Sequence, residues 1–443
     1  MERTQVTHTN RSAASRIFED LGVVPSAGNL FHQSVRRLLD ASELVGLRHT
    51  QQLILSQPKN EVMVQFPVQM DDGRHRLFKG YRVQHSNALG PYMGGVRFAP
   101  TLGLDTVKGH AVLATLRASL ARVPFGGAFG GVKVAPGELS RGELMRVTRR
   151  YCSAISHQLG PAYDVVAPDV GADAQVMAWF FDTLAQTTPE SQRQDQSRAV
   201  VGKPVELGGL VTRTRALATG LLAVLDETLG DALVELPTAR VAIVGFGAAG
   251  SAIAKALATR GARVVAVLSS GAALYEPGGI DVLALAQHRA HTGAIDGFEG
   301  ATSVLERDFW DAACEITVVC AEDGAMDAQR AGLCRARVVV EAGGANITAD
   351  ADDVLVRQGI EIVPDILAGA GIEVAAALEW REIRHEPNFR KDDVDLHVQR
   401  QVTLAARRVR VARARYECDA RTAALCASLE RIGKVYELRG VFP

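Results

Sequence analysis

The chain has 443 residues, 47% hydrophobic and 5% aromatic, and carries a formal charge of -1 at neutral pH. That length asks for two domains rather than one core. A balanced charge without basic or acidic blocks excludes nucleic acid and anionic membrane surfaces as partners. Residues Met1 to Leu30 are polar and lack the apolar centre of a signal peptide. No run reaches the roughly 18 apolar residues of a membrane span, so a cytoplasmic location is expected. The six cysteines (Cys152, Cys314, Cys320, Cys334, Cys418, Cys426) form no C-x-x-C and meet no histidines at metal spacing. They read as buried structural thiols, and no metal site is expected. Only eight of the 49 basic residues are lysine, an arginine bias that runs through the whole chain.

Helical spacing governs the first sixty or so residues, as in Phe31 to Leu55. Val62-Met-Val-Gln-Phe-Pro-Val68 and Arg76-Leu-Phe-Lys-Gly-Tyr-Arg-Val83 read as β-strands joined by a turn at Asp72-Gly73. Asp105 to Arg122 reads as a helix with a glycine-rich loop after it. Ser140 and Glu143 form a capping box that opens another helix. Thr187 to Arg198 is polar and pattern-free, a loop near a domain boundary. Apolar runs at Val241–Val244, Arg263–Leu268, Ile316–Val319 and Val338–Val340 then follow the pattern of a buried parallel sheet. After Pro364 long helices return, the last of them Arg/Ala-rich, from about Asp395 to Ile432.

Directly after the first of those runs comes Gly245-Phe-Gly-Ala-Ala-Gly250, a G-x-G-x-x-G turn in the strand-to-helix context that the motif requires. Gly245 permits the tight turn and Gly247 lets a pyrophosphate approach the backbone. Gly250 packs helix against strand, and the helix N-terminus faces the anion. The next strand ends in Val267-Leu-Ser-Ser-Gly271, without the Asp or Glu that binds the ribose hydroxyls in an NAD site. Ser269 tolerates a 2′-phosphate there, which favours NADP over NAD as cofactor. The alternative is a decayed nucleotide site that keeps only the fold. The predicted fold class is α/β with two domains, 1–200 and 201–368, the second a Rossmann dinucleotide-binding domain, followed by C-terminal helices over 369–443.

Five longer segments stand out: Tyr81-Arg-Val-Gln-His-Ser-Asn-Ala-Leu-Gly-Pro-Tyr92, Pro124-Phe-Gly-Gly-Ala-Phe-Gly-Gly131, Ala167-Pro-Asp-Val-Gly171, Gly202-Lys-Pro-Val-Glu-Leu-Gly-Gly209, and Val363-Pro-Asp-Ile-Leu-Ala-Gly-Ala-Gly371 with Glu379-Trp380 beyond it. In this order they resemble the glutamate dehydrogenase family of Glu/Leu/Phe/Val amino-acid dehydrogenases, over about residues 60 to 380. The resemblance implies that 1–200 is a substrate and oligomerisation domain, on which the C-terminal helices pack back. It also implies a homo-oligomer, a hexamer in the family, with a small-molecule substrate held against a nicotinamide. In the family one lysine binds the α-carboxylate and another the side-chain carboxylate. A third activates water against an iminium, and an aspartate shuttles protons.

The aspartate is kept as Asp169, and Thr219 keeps its place near the nicotinamide; the lysines are gone. Met93 stands in Pro91-Tyr-Met-Gly-Gly95 where the family has Pro-Tyr-Lys-Gly-Gly, and Arg117 replaces a lysine in Thr115-Leu-Arg117. Phe129 replaces the catalytic lysine. Gly369 replaces an asparagine, Ala376 a serine that helps bind the distal carboxylate, and Glu373 an apolar specificity position. Arginine bias accounts for Arg117 alone, since Met93 and Phe129 discard charge altogether. Lys133 matches a different, non-catalytic lysine of the family. Asn346, in Glu341-Ala-Gly-Gly-Ala-Asn346, aligns ambiguously with the family's Glu-Gly-Ala-Asn.

Ordinary glutamate dehydrogenase activity is therefore not expected. The expected function is a repurposed NAD(P)-dependent oxidoreductase or imine-handling enzyme, acting on an amino-acid-derived substrate other than glutamate. Asp169 is its catalytic residue, and Met93, Arg117, Phe129, Glu373 and Ala376 line its pocket. Gly245, Gly247, Gly250, Ser269 and Thr219 hold the cofactor. The alternatives are a non-redox condensation or cyclisation run by Asp169, or an inactive homologue acting as regulator or partner subunit. In the last case Asp169 is a structural carboxylate at a helix start.

Overall fold

The computed structural model describes residues 12–26, 28–188, 196–381 and 390–441. The first sheet holds β1 (Asn60–Gln69), β2 (His75–Ser86), β3 (Tyr92–Ala99), β4 (Gly127–Lys133) and β5 (Asp164–Pro168), in the order β1-β2-β4-β3-β5. β1 and β2 form the expected antiparallel hairpin, with Phe66 opposite Phe78. Strand alternation buries Phe66, Val68 and Phe78 on one face, where Phe66 meets Tyr151 of the helix Arg141–Ile155. That helix opens on the expected Ser140–Glu143 capping box.

The glycine-rich segment after the helix Leu104–Leu120 is a strand, not a loop. As β4 it runs antiparallel to β2 and parallel to β3. Its glycines serve close approach: a Cβ on Gly127 would fall 2.2 Å from the Thr115 hydroxyl of that helix. The helix is buried almost end to end, between this sheet, the helix Leu30–Leu44 and the C-terminal helix Ala420–Arg439.

The second sheet holds β6 (Arg240–Val244), β7 (Arg263–Ser269), β8 (Ala272–Tyr275), β9 (Thr302–Val304), β10 (Ile316–Val319), β11 (Val338–Glu341) and β12 (Glu361–Val363), in the order β12-β11-β10-β6-β7-β8-β9. β12, β11, β10, β6 and β7 are parallel; β11, β10, β6 and β7 follow the predicted apolar runs, and β12 is an addition to them. β8 and β9 are not among the expected elements. They add an antiparallel edge through a two-residue turn at Ser270 (φ 50°) and Gly271 (φ 82°). The strand order reverses between β6 and β10, which makes the C-terminal ends of those strands the switch-point crevice.

One long helix proves to be broken, and the helically spaced stretch near the start holds two helices. Phe31 to Leu55 divides at Gly46 (φ 72°) into Leu30–Leu44 and His49–Leu55. The single Arg/Ala-rich helix expected near the end is two, Lys391–Tyr416 and Ala420–Arg439. Glu417 adopts the left-handed conformation (φ 48°), and Asp419 caps the second helix by accepting from the Thr422 amide at 3.0 Å. Of the polar stretch Thr187–Arg198, residues 189–195 lie outside the described residues. Cys152, Cys314, Cys334 and Cys426 are buried, Cys320 and Cys418 half-buried, and all six are free thiols. Among the described residues no helix is long and apolar enough to cross a membrane.

Candidate active site

The two sheets meet where Arg97 of β3, Asp169 just past β5 and Asp323 just past β10 converge. Arg97 Nε donates to Asp169 at 2.8 Å, and its Nη1 donates to Asp323 at 3.0 Å. His110, from the helix Leu104–Leu120, lies 2.9 Å from the same Asp323 oxygen. The second Asp169 oxygen accepts from Arg213 at 2.9 Å, at the start of the helix Arg213–Thr228. Burial alone would raise the Asp169 carboxyl; Arg97, Arg213 and His110 outweigh it and hold the group well below the usual carboxylate range. Asp323 follows the same pattern, with burial opposed by His110 and Arg97 and a net lowering. Asp169 does not cap the helix that follows it: the N-cap of Ala174–Thr187 is Asp173. Its partners are the two guanidinium groups and the Val170 amide, which donates at 2.8 Å.

A second ion cluster forms around Arg117. This guanidinium lies 3.4 Å from Asp365 and 3.6 Å from Glu373. Burial pushes the Glu373 carboxyl up, against the opposing pull of Arg117 and Arg213. A Cβ at position 369 would sit 2.9 Å from Arg117 Nε, so Gly369 supplies the room that the longer side chain needs. The Nε itself is buried without a hydrogen-bond partner. Behind Asp365, Arg421 reaches Glu341 at 2.6 Å.

Phe129 packs beside the first cluster. Its ring stacks on His110 with centroids 4.7 Å apart, and the Arg97 guanidinium lies 5.3 Å from its centroid. A Cβ on Gly95 would meet Asp169 Cβ at 2.9 Å and Phe129 Cε2 at 3.0 Å, which places carboxylate and ring side by side. Met93 and Ala376 are buried members of the main apolar core. Arg213 acts electrostatically on both Asp169 and Glu373 and so relates the two clusters, while Lys133 is exposed at the end of β4.

The dinucleotide fingerprint keeps its geometry. Gly245 has φ 87°, and a Cβ on Gly250 would fall 1.8 Å from the Gly245 carbonyl. Space around Gly247 is open to 4 Å, and this residue caps the helix Ala248–Thr259 without a side-chain acceptor. A helix start without a side-chain cap, with open room at Gly247, fits a pyrophosphate. Ser269 lies half-buried at the end of β7, and Thr219 half-buried on the helix Arg213–Thr228. Asn346 donates to the Ala321 and Glu322 carbonyls at 2.6 and 3.2 Å, and so holds the loop that carries Asp323.

Several residues of this site escape sequence reasoning. Arg82 is fully buried; it pairs with Asp164 and donates to the Gly94 and Gly95 carbonyls at 3.3 Å, fixing the β3 backbone below Asp169. Arg97, His110, Arg213 and Asp323 carry no motif of their own, and they matter only through partners distant in sequence; Asp365 stands inside the resembling segment Val363 to Gly371, which gives it no role by itself. Arg97 had one local signal, its place two residues after Gly94-Gly95 in the resembling segment. Lys203 and Glu379, from two of the resembling segments, form a buried ion pair at 2.8 Å that ties the crossing segment to the helix Ala370–Trp380.

Comparison with known proteins agrees along the chain. Residues 58–186 match the model of the Glu/Leu/Phe/Val dehydrogenase dimerisation domain, and residues 208–440 that of the glutamate/leucine/phenylalanine/valine dehydrogenases. The glutamate dehydrogenase of Thermotoga maritima is 35% identical over 94% of this chain and 99% of its own. The NADP-specific glutamate dehydrogenase of Saccharolobus shibatae is 31% identical (93% and 97%), and the catabolic NAD-specific enzyme of Bacillus subtilis 32% (93% and 96%). A hetero-hexameric glutamate dehydrogenase from Thermus thermophilus, solved in a Leu-bound form, superposes with a TM-score of 0.88 at 35% identity, covering 95% of this chain and 99% of that one. With two α/β units, a Rossmann glycine turn and full-length similarity to NAD(P)-dependent amino-acid oxidoreductases, the chain belongs to the Glu/Leu/Phe/Val dehydrogenase family.

Proposed function

We propose that this chain is a dinucleotide-binding member of the family that does not turn over glutamate by itself and serves as the partner subunit of a catalytic dehydrogenase in a mixed oligomer. One observation carries the reading: every charge in the cleft already has a protein counter-charge. Arg117, at the position that would bind a substrate carboxylate, is engaged by Asp365 and Glu373. Asp169, at the proton-shuttling position, is engaged by Arg97 and Arg213. A carboxylate held ionised between two guanidinium groups is a poor proton donor, and Phe129 offers no amine to activate water. The similarity to a hetero-hexameric enzyme fits a partner role.

A bound dinucleotide would supply or accept the hydride. The residues that would hold it are Gly245, Gly247 and Gly250 at the pyrophosphate, with Thr219 and Ser269 toward its two ends. The missing acid after β7 favours NADP. The intact glycine turn also supports a second reading, a reductase acting on an amino-acid-derived imine or ketone other than glutamate, in which Asp169 and Glu373 face an amine-bearing substrate.

The test has two parts, glutamate-dependent reduction of NAD and NADP by the purified chain, and titration with NADPH and NADH by nicotinamide fluorescence. The proposal expects nucleotide binding with glutamate turnover at least roughly 10² below the ordinary enzyme scale of about 10 s⁻¹. Turnover near that scale would overturn it. Binding of neither nucleotide would remove both the dinucleotide role and the reductase reading.

A further inference from the structure

We propose that Arg122, Arg408 and Arg431 form a binding site for a multiply charged oxoanion at the C-terminal end of the helix Leu104–Leu120, outside the cleft. The three side chains come from three elements and converge on one turn. Arg408, on the helix Lys391–Tyr416, donates to the Leu120 carbonyl at 2.9 Å. Arg431, on the helix Ala420–Arg439, donates to the Ala118 and Ser119 carbonyls at 3.2 Å and to Val123 at 3.0 Å. Arg122 lies within the turn itself, exposed and with φ 56°.

Capping of the helix end explains only part of this. Exposed carbonyls at a helix C-terminus amount to about half a negative charge, which one guanidinium more than balances. Three full positive charges stand against it, an excess of about two and a half. Among the described residues none of the three has a carboxylate within ion-pair distance. Their neighbours behave differently: Arg407 and Arg410 pair with Glu227, Arg413 with Glu361, and Arg415 with Glu430. Arg400 of that helix is unpaired too but exposed, whereas Arg408 is desolvated beside two further unpaired guanidinium groups, Arg122 and Arg431. Arg408 and Arg431 are also half-buried. Burial, with Arg122 and Arg408 nearby, brings Arg431 down to about 10. Cations desolvated against each other raise the free energy of the folded state until an anion joins them. The Nε groups of Arg408 and Arg431, together with the whole Arg122 fork, are left to bind one.

The ligand class is an oxoanion with two or more charges, a phosphoanhydride or a polycarboxylate. Its place gives it leverage on the cleft, because the helix it caps carries His110, Thr115 and Arg117. The site does not depend on the dinucleotide reading.

The test uses the full-length protein and thermal unfolding with pyrophosphate or citrate, each against sodium chloride of equal ionic strength. The glycine turn could also take pyrophosphate, so the site is read through Arg122→Asn, a residue type that tolerates positive φ, and through Arg122→Asn with Arg408→Gln. The expected result is saturable stabilisation by at least one anion, weakened about tenfold or more by the single change. Preference for pyrophosphate or for citrate assigns the phosphate or the carboxylate source. Crystals soaked in selenate should show an anomalous peak between Arg122 and Arg431. No stabilisation beyond chloride, equal affinity in Arg122→Asn, or a peak only at the glycine turn would each overturn the proposal.

Discussion

At the scale of single residues, Arg117 and Gly369 explain one another. A guanidinium is bulkier than an ammonium, and it fits here because position 369 lacks a side chain. Phe129 has an equally local logic, resting on His110 and beside Arg97 as an aromatic plug. Phe129→Lys should therefore not create glutamate oxidation. The new ammonium would enter a pocket already holding Arg97 and His110, while Met93, Glu373 and Ala376 remain unsuited to a second carboxylate. The expected outcome is no measurable turnover and a stability loss of about 1 to 3 kcal/mol, from the lost stack and a buried charge. Steady-state assay and urea denaturation check both, and glutamate turnover in the single variant would show that the pocket is less altered than its charges imply.

Elements are tied together by a few polar groups whose protonation is set by burial. His85 joins three of them: its Nδ1 lies 2.8 Å from Thr115 Oγ1, and its Nε2 lies 2.9 Å from the Leu55 carbonyl. A carbonyl only accepts, so Nε2 carries a proton, and burial disfavours a second one on Nδ1. Burial lowers His85 from 6.5 to about 4. A depressed folded value means that the unfolded chain takes up the proton first. Stability is thus full above about 6.5 and falls as the pH drops toward 4, by up to about 3 kcal/mol from this group. Chemical denaturation across that window should show the slope in the parent and a flatter profile in His85→Gln; identical slopes would exclude His85 as the cause. The break at Glu417 makes a separate prediction. A non-glycine residue at φ 48° costs about 1 to 2 kcal/mol, partly offset by the unfolded-state entropy of glycine, so Glu417→Gly should stabilise by about 0.5 to 1 kcal/mol. A lower melting temperature in that variant would contradict it.

Across the whole molecule, Asp323 is one of the contacts through which the nucleotide-binding unit grips the other, beside Arg213 on Asp169 and Arg37 on Asp352. It receives Arg97 at 3.0 Å and lies 2.9 Å from His110, both carried by elements of the first α/β unit. Charge-assisted contacts of this kind are worth about 1.5 to 3 kcal/mol each. Asp323→Asn keeps the size and removes the charge, and it should shift the molecule about tenfold toward an open cleft. Solution scattering should record a larger radius of gyration, and NADPH should associate faster. An unchanged scattering curve would mean that closure rests on packing elsewhere.

Much of this was legible in the residues alone. The hairpin at Asp72-Gly73, the Ser140 cap, the parallel strands β6, β7, β10 and β11 and the glycine turn follow from local rules: period-two alternation, short-range hydrogen bonds and the backbone freedom of glycine. The missing lysines were legible too, because Met93 and Phe129 stand inside long motifs. The conformation of β4, the β8–β9 edge and the break at Glu417 were not. Each is decided by neighbours: Thr115 packed against Gly127, β7 offering a free edge to β8, and Asp419 capping a new helix. Above all, sequence determines which charges the cleft contains, whereas only the tertiary structure decides who neutralises them. Asp169, read alone, is a candidate catalyst; set between Arg97 and Arg213, from opposite sides of the chain's crossing, it is half of an ion network. Counter-charges act through space over a few ångströms, and nothing in the spacing of residues 97, 169, 213 and 323 encodes that distance.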